Sequence, residues 1–375
     1  LESINFDRIK SIKNRAVMTS RKGIENQLEE NDVEIINGEG KLVDKGIVEV
    51  DGKTIESDYI IIATGSKPIQ LPSLNFDKKN ILTSDDILEI DDIPESMVII
   101  GGGYIGIEMA FVFSSLGTDV TIVELMNNIL PNMDKDLSEE TVKILKRKKI
   151  RIYTGSKVTD VEGDGTLDVT IKGDTEKEMN VEKVLCCVGR IPTPPEIKIE
   201  GLKGGNEVKT DGRMRTSVEG IYAVGDVNGK SMLAHSAYKQ AEIAVEDILG
   251  NDPRPFSEYE VPAGVYTHPE IASVGFTEDM ARKKFDDIKV GKFPISASGR
   301  GYSTGERSGL AKVIASKNKI VGIHLMCPGA TDIIMEGTVA MQNGVTIEEL
   351  SDIIHPHPTY SESIKNAAKD ILEEQ

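Results

Sequence analysis

The stretch that most limits what this chain can fold into is a single loop with its flanks. Met97–Ile100 is an apolar run that reads as a buried strand, and Gly101-Gly102-Gly103-Tyr104-Ile105-Gly106 follows at once. A helical pattern over Tyr104–Leu116 comes next, then a second apolar strand, Val120–Glu124. Strand, glycine loop, helix and strand in this order make a βαβ unit. Gly101 permits the tight turn, Gly103 lets a pyrophosphate approach the backbone, and Gly106 lets helix and strand pack closely. The helix start, with Tyr104 and Ile105, offers unpaired N–H groups and a positive dipole end to phosphates. Glu124 ends the second strand, where a carboxylate accepts hydrogen bonds from the ribose hydroxyls of NAD and repels the extra phosphate of NADP. No basic residue occurs in Leu125–Leu130, so NAD is expected. The bland alternative is a glycine-rich turn without nucleotide. Glu108 falls in the first helical turn, where the dipole alone favours a carboxylate.

The surrounding sequence points to several domains of α/β and α+β type. At 375 residues the chain can bury about two or three separate cores. Residues 5–30 have the pattern of a surface helix. Strand-like runs follow at Val33–Ile36, Gly40–Val43, Ile47–Val50 and Tyr59–Ala63, the last apolar enough to be buried on both faces. After the glycine loop come a helix over Leu137–Lys148, strands near Arg151–Tyr153 and Val158–Val161, a hairpin at Asp164-Gly165, and a strand over Val184–Val188. Ile221–Asp226 and a helix over Ala234–Leu249 form a third section, and Asn251-Asp252-Pro253-Arg254-Pro255 reads as a boundary. Beyond it, strands at Ile271–Val274, Ala311–Ala315 and Ile320–His324 precede helices at Ala330–Asn343 and Ile347–Ile354, as in a separate α+β domain.

Composition removes several classes of function. A net charge of -18 repels phosphate backbones, so no nucleic-acid partner is expected. No polybasic stretch or apolar run suits a membrane, and there is no signal-peptide pattern. Cys186, Cys187 and Cys327 form neither a disulfide framework nor a zinc pattern. The first two lie on opposite faces of one strand and read as small buried hydrophobes. A cytoplasmic protein without a metal site is expected.

Near the C-terminus, His355-Pro356-His357-Pro358-Thr359-Tyr360-Ser361-Glu362 fits the pattern HxHPTxSE. With the glycine loop, it makes the chain resemble the flavin- and nicotinamide-dependent disulfide oxidoreductases, most closely the dihydrolipoamide dehydrogenases. The resemblance covers essentially the whole chain and begins roughly 90 residues into the family's usual length, so an N-terminally truncated member is expected. It implies a Rossmann-like NAD-binding domain inserted in an incomplete FAD-binding domain, plus a C-terminal α+β dimerisation domain. The expected boundaries are 1–92 for the partial FAD-binding domain, 93–212 for the NAD-binding domain, 213–254 for the return to the FAD-binding/central domain, and 255–375 for the dimerisation domain.

The same resemblance assigns roles. His357 is the general base and Glu362 the carboxylate that orients it, acting across a homodimer. An imidazole titrates near neutrality and suits removal of a thiol proton. A solvent-exposed His-Pro loop, or a weak metal pair from His355 and His357, is the competing reading of those residues alone. Glu108 lies near the nicotinamide. Val158 and the Gly189-Arg190 loop lie along NAD. Gly40, Thr64-Gly65-Ser66, Asp226 and Met232-Leu233-Ala234-His235 match flavin contacts, with Asp226 on the ribityl chain and the last segment at a helix start beneath the ring. Asp226 alone could be a turn residue, and His235 a structural histidine. The family's Cys-x4-Cys pair and first GxGxxG do not occur in the sequence. The expected activity is oxidation of dihydrolipoamide on a lipoyl-bearing protein of a 2-oxoacid dehydrogenase or glycine-cleavage complex, through a disulfide and FAD to NAD. The alternatives are another flavin disulfide reductase, such as glutathione or mercuric reductase, and a non-catalytic NAD-binding docking dimer. Glu124 disfavours the NADPH users among them.

Overall fold

The structure, a computed structural model, describes residues 4–202 and 204–373. They group into two compact units. One comprises residues 4–67, 90–93, 191–202 and 204–256, and the other residues 68–89, 94–190 and 257–373.

The second unit contains the glycine loop. Its five-stranded sheet runs in the order Ile81–Thr83, Lys183–Cys186, Ser96–Ile100, Asp119–Val123, Arg151–Tyr153, and all its pairings are parallel. Met97, Val98, Ile99, Val184 and Leu185 are fully buried, as continuous apolar strands of a covered parallel sheet must be. The helix Tyr104–Leu116 starts at Gly103 and stops at Gly117, whose φ of 101° is the left-handed cap that a side chain would oppose. A three-stranded antiparallel sheet, Lys157–Glu162, Leu167–Lys172 and Glu176–Val181, turns Leu167, Val169 and Ile171 into the same core as Val98, Val123 and Val184.

A second five-stranded sheet in this unit is antiparallel. Its order is Ala263–Val265, Glu270–Gly275, Lys319–Cys327, Leu310–Ser316, Ile288–Pro294. Helices Ala330–Gln342 and Glu362–Glu373 supply Ile334, Ala340, Ile364, Ala367 and Ile371 to a core built on Val313, Ile323 and Leu325. The Gly291 backbone lies so close to the Ala367 carbonyl that a Cβ could not fit between them.

The first unit has smaller sheets. Glu196–Ile197, Gly40–Asp44, Ile47–Val50 and Lys53–Glu56 form one, and Ile60–Ile62 pairs in parallel with Ile221–Ala223. Leu42, Ile62, Leu202, Val208 and Ile221 share a core. The helix Ala234–Ile248 packs Ile243 and Ala244 beside Tyr222 and Val224. The helix Phe6–Glu30 is capped by Asn5, which accepts from the Arg8 amide at 2.9 Å, and buries none of its residues.

The α/β expectation holds, with local corrections. Val33–Ile36 is not a strand. Val33, Ile35 and Ile36 are exposed, and no strand of the described residues pairs with them. Apolar content alone does not make a strand without a ladder for its backbone groups. Tyr59–Ala63 shrinks to Ile60–Ile62 and is not buried on both faces, since Ile61 is 38% exposed. Strands Lys53–Glu56, Ile81–Thr83, Glu176–Val181 and Ile288–Pro294, and the helix Glu362–Glu373, lie outside the sequence expectation.

Candidate active site

The glycine loop is shaped by close approach. At Gly101, with φ 106°, an added Cβ would collide with the Cys187 carbonyl, and at Gly106 with the Gly101 carbonyl. At Gly103 it would meet nothing within 4 Å. The loop is thus tight on its protein side and open where the helix begins. Gly103 caps the helix without a side-chain hydrogen bond, leaving the first-turn amides, including those of Tyr104 and Ile105, without a side-chain cap. Glu124 is buried, and its oxygens accept from the Gly102 amide at 2.6 Å and the Met126 amide at 2.7 Å. The carboxylate therefore fixes the loop itself, and its remaining lone pairs are what a ribose could use.

Glu108, in the helix, accepts from the Tyr266 amide at 2.9 Å. Burial pushes its carboxyl above the ordinary range and that hydrogen bond only partly opposes it. Val158 is half-buried on its strand. Gly189, with φ 121°, accepts from the Ile69 amide at 3.0 Å, and Arg190 reaches Asp85 at 3.3 Å.

In the other unit, Ser66 donates to Asp226 at 2.5 Å. The neighbouring Thr64 and Gly65 carbonyls accept from the Thr193 hydroxyl and amide at 3.1 and 2.9 Å. Asp226 sits in a short turn, Gly225–Asn228, that sequence reasoning left unsupported. Buried Gln240 supports it, accepting from the Gly225 amide and from Asn228 Nδ2, both at 2.7 Å. Met232 and Leu233 lead into the helix that Ala234 and His235 begin, and Leu233 gives it no side-chain cap. Gly40 starts its strand with ordinary space around it, the nearest atom being Val48 Cγ1 at 3.7 Å.

The histidine loop brings its two expected residues together. His357 Nδ1 lies 3.0 Å from Glu362 Oε1, and Glu362 Oε2 accepts from the Thr359 amide at 2.8 Å. Burial alone would raise the Glu362 carboxyl, but the Thr359 amide and His357 outweigh it and hold the group below its ordinary value. The His357 side chain is 74% exposed. His355 instead turns to Glu336, 2.8 Å away, and to the Ile353 carbonyl. The two rings thus take different carboxylates, and no group of three potential metal ligands occurs among the described residues.

A buried charge network lies elsewhere in the same unit. Lys312 Nζ contacts Asp134, Asp136 and Glu278 at 2.6 to 2.7 Å, and Lys312 and Asp134 are each 1% exposed. Burial would lower the lysine and raise the aspartates, but the three carboxylates outweigh it for Lys312, His324, the Glu278 amide and Lys312 outweigh it for Asp134, and Lys292 with Lys312 outweighs it for Asp136. His324 is fully buried between Ser273 and the Phe276 carbonyl, each 3.0 Å away, and burial pushes its imidazole below the ordinary value.

Known proteins resemble this chain throughout. Residues 3–241 match the model of the pyridine nucleotide-disulphide oxidoreductases, and residues 261–368 match the dimerisation domain of the same group. The chain belongs to the pyridine nucleotide-disulphide oxidoreductase family. It is 36% identical to a dihydrolipoyl dehydrogenase of Bacillus subtilis, over 98% of this chain and 82% of the relative. It is 35% identical to one of Chlorobaculum tepidum, over 99% and 82%. LpdA of Mycobacterium tuberculosis superposes with a TM-score of 0.88 at 27% identity, covering 98% of this chain and 84% of LpdA.

Enzymes of this family are oxidoreductases that use FAD and NAD. The residues present fit NAD: the glycine cradle is sterically closed behind and open in front, and the helix start lacks a competing cap. They fit the polyol and ring end of FAD as well, through the carboxylate of Asp226 and the uncapped helix start at Ala234. The three cysteines do not match the family's exchange pair. Burial raises the thiols of Cys186 and Cys187 and pushes that of Cys327 up to about 12, which suppresses the reactive thiolate.

Sequence reasoning missed Thr359, Glu336, Gln240 and the Lys312 network. A lysine inside the apolar run Ala311-Lys312-Val313-Ile314-Ala315 was the available signal for the last.

Proposed function

We propose that this chain carries the nicotinamide-binding, flavin-ring-binding and base-bearing parts of a dihydrolipoyl dehydrogenase. The observation that carries this reading is the His357–Glu362 pair. Glu362, held by the Thr359 amide, occupies Nδ1 of the ring and leaves Nε2 to accept a proton. The substrate is a dihydrolipoyl group on a partner protein of a 2-oxoacid dehydrogenase or glycine-cleavage complex. Its thiol proton passes to His357 Nε2, and the thiolate would attack the disulfide of the family's Cys-x4-Cys pair, forming a mixed disulfide and releasing one cysteine as thiolate; this chain's three free cysteines do not supply that pair. When bound, FAD and NAD supply the electron relay and the hydride acceptor. Gly103 and the amides of Tyr104 and Ile105 meet the NAD pyrophosphate, Gly101, Gly102 and Gly106 shape the turn that presents them, Glu124 takes the ribose, and Asp226 the ribityl chain.

Two copies of the chain pair through residues 261–368. Met335 and Val339, one helical turn apart, and Ile353 and Ile354 beside the histidine loop are exposed apolar groups that such pairing would cover. The buried, unpaired thiols suit a reducing compartment, and we place the protein in the cytoplasm. No described helix is long and apolar enough to cross a membrane.

The test joins this chain to an N-terminal segment that carries a first GxGxxG loop and a Cys-x4-Cys pair, and measures dihydrolipoamide-dependent reduction of NAD by this chimera. His357→Gln lowers kcat by about a hundredfold or more. Wild-type turnover in that variant removes the base assignment.

A further inference from the structure

Gly299 packs against the His357 ring. A Cβ at this position would lie 3.3 Å from Cε1, 3.7 Å from Nε2 and 3.5 Å from Pro358 Cβ. Because Nδ1 is engaged by Glu362, this is the edge that carries the free nitrogen. Gly299 opens the short helix Gly299–Thr304, where Ser298 accepts from the Gly301 amide at 2.9 Å. The far end of the helix is tied to the histidine loop. Thr304 Oγ1 and Tyr360 OH are hydrogen-bonded at 2.6 Å, and the Tyr360 ring packs on the core of the antiparallel sheet. The helix is therefore pinned at one end by its cap and at the other by Tyr360, with residue 299 fixed beside the ring.

We propose that position 299 sets the access of substrate to His357 Nε2, and that the Thr304–Tyr360 hydrogen bond is the positioning contact that keeps it there. The inference rests on His357 being the base and adds what limits the groups that can reach it. With glycine at 299, the space beside Nε2 admits a thiol on a flexible arm. A branched side chain would occupy that space without straining the backbone, since Gly299 does not adopt the left-handed conformation.

The experiment follows carbethoxylation of individual histidines by diethyl pyrocarbonate, read by peptide mass spectrometry, on the chain as it stands. Gly299→Val slows labelling of His357 by about fivefold, and Gly299→Ala by about twofold, while exposed His235 keeps its rate. Adding Thr304→Val to Gly299→Val frees the helix and restores much of the lost rate, whereas adding Thr304→Ser does not. Unchanged His357 labelling in Gly299→Val, at a wild-type melting temperature, overturns the proposal. If that variant does not fold, unchanged labelling in Gly299→Ala does so. In the chimera, Gly299→Val lowers kcat/KM for dihydrolipoamide by a similar factor, and slowed labelling with intact kcat/KM also overturns it. Labelling needs no turnover and is compared at a pH where the rate has reached its plateau with the ring unprotonated, so a failure of the base assignment shows separately, as wild-type turnover in His357→Gln.

Discussion

Two histidine neighbourhoods in the same unit put similar chemical groups to opposite use. His324 is sealed from solvent beside Ser273 and Phe276, near a lysine that three carboxylates surround. His357 stands largely in solvent with one carboxylate behind it. In the first neighbourhood every partner is fixed by another, and moving a proton would leave a buried charge without compensation. In the second, only Nδ1 is committed to a carboxylate, and the rest of the ring faces solvent. Burial thus separates a structural imidazole from one available for chemistry more sharply than the identity of its neighbours does.

The largest expected effect tests the buried side of this contrast. Lys312→Ala leaves Asp134, Asp136 and Glu278 facing one another and destabilises the protein by about 3–5 kcal/mol, read from denaturant melts. A loss comparable to that of an exposed lysine would mean that water reaches the network. Acid should discriminate next. Asp134, Asp136, Glu278 and Glu362 are held below their ordinary values in the fold. The stability they add is complete above those ordinary values and is lost as pH falls through the lowered ones. His324 acts earlier. Its folded value lies below the ordinary 6.5, so the unfolded ring binds the proton first, and stability declines as pH drops below 6.5. A pH series of melting temperatures should show both phases. In His324→Gln the upper phase flattens and the carboxylate phase stays, and an unaltered upper phase would assign it to another group.

Smaller effects probe the exposed side. Glu362→Gln keeps a hydrogen-bonding group but loses the charge, and it should reduce dihydrolipoamide turnover in the chimera by about tenfold. The melting temperature should change far less than in Lys312→Ala. Glu124 combines features of both neighbourhoods, being buried yet proposed as the ribose acceptor. Glu124→Ala should weaken NAD binding to the chain by about tenfold, measured by titration calorimetry, and unchanged affinity would remove the ribose assignment.

Much of this was legible where chemistry is local. The helix Tyr104–Leu116 keeps its expected bounds, because Gly103 and Gly117 mark both ends within the sequence. His357 and Glu362 meet because five residues and a turn connect them. Val33–Ile36 failed because pairing is a property of partners, and its apolar residues carry no information about whether a neighbouring strand exists. The Lys312 network was illegible for the same reason. The lysine was visible as an oddity in an apolar strand, but its carboxylates are 176 and 178 residues away for Asp136 and Asp134, and nothing in the spacing links them. Gly299 likewise carries no signal in the sequence, and only the ring beside it gives it meaning.

That separation also orders the birth of the molecule. Asp134 caps the helix Lys135–Arg147 and emerges from the ribosome long before Lys312 does. Until the lysine arrives, Asp134 and Asp136 must remain hydrated, and the surface around them cannot close. The parallel sheet can assemble from its own local pairings, but its final sealing waits for the antiparallel sheet to be made. Such distant closure slows folding, and it makes chains stalled between these points expose acidic, unsealed surface that quality control can recognise.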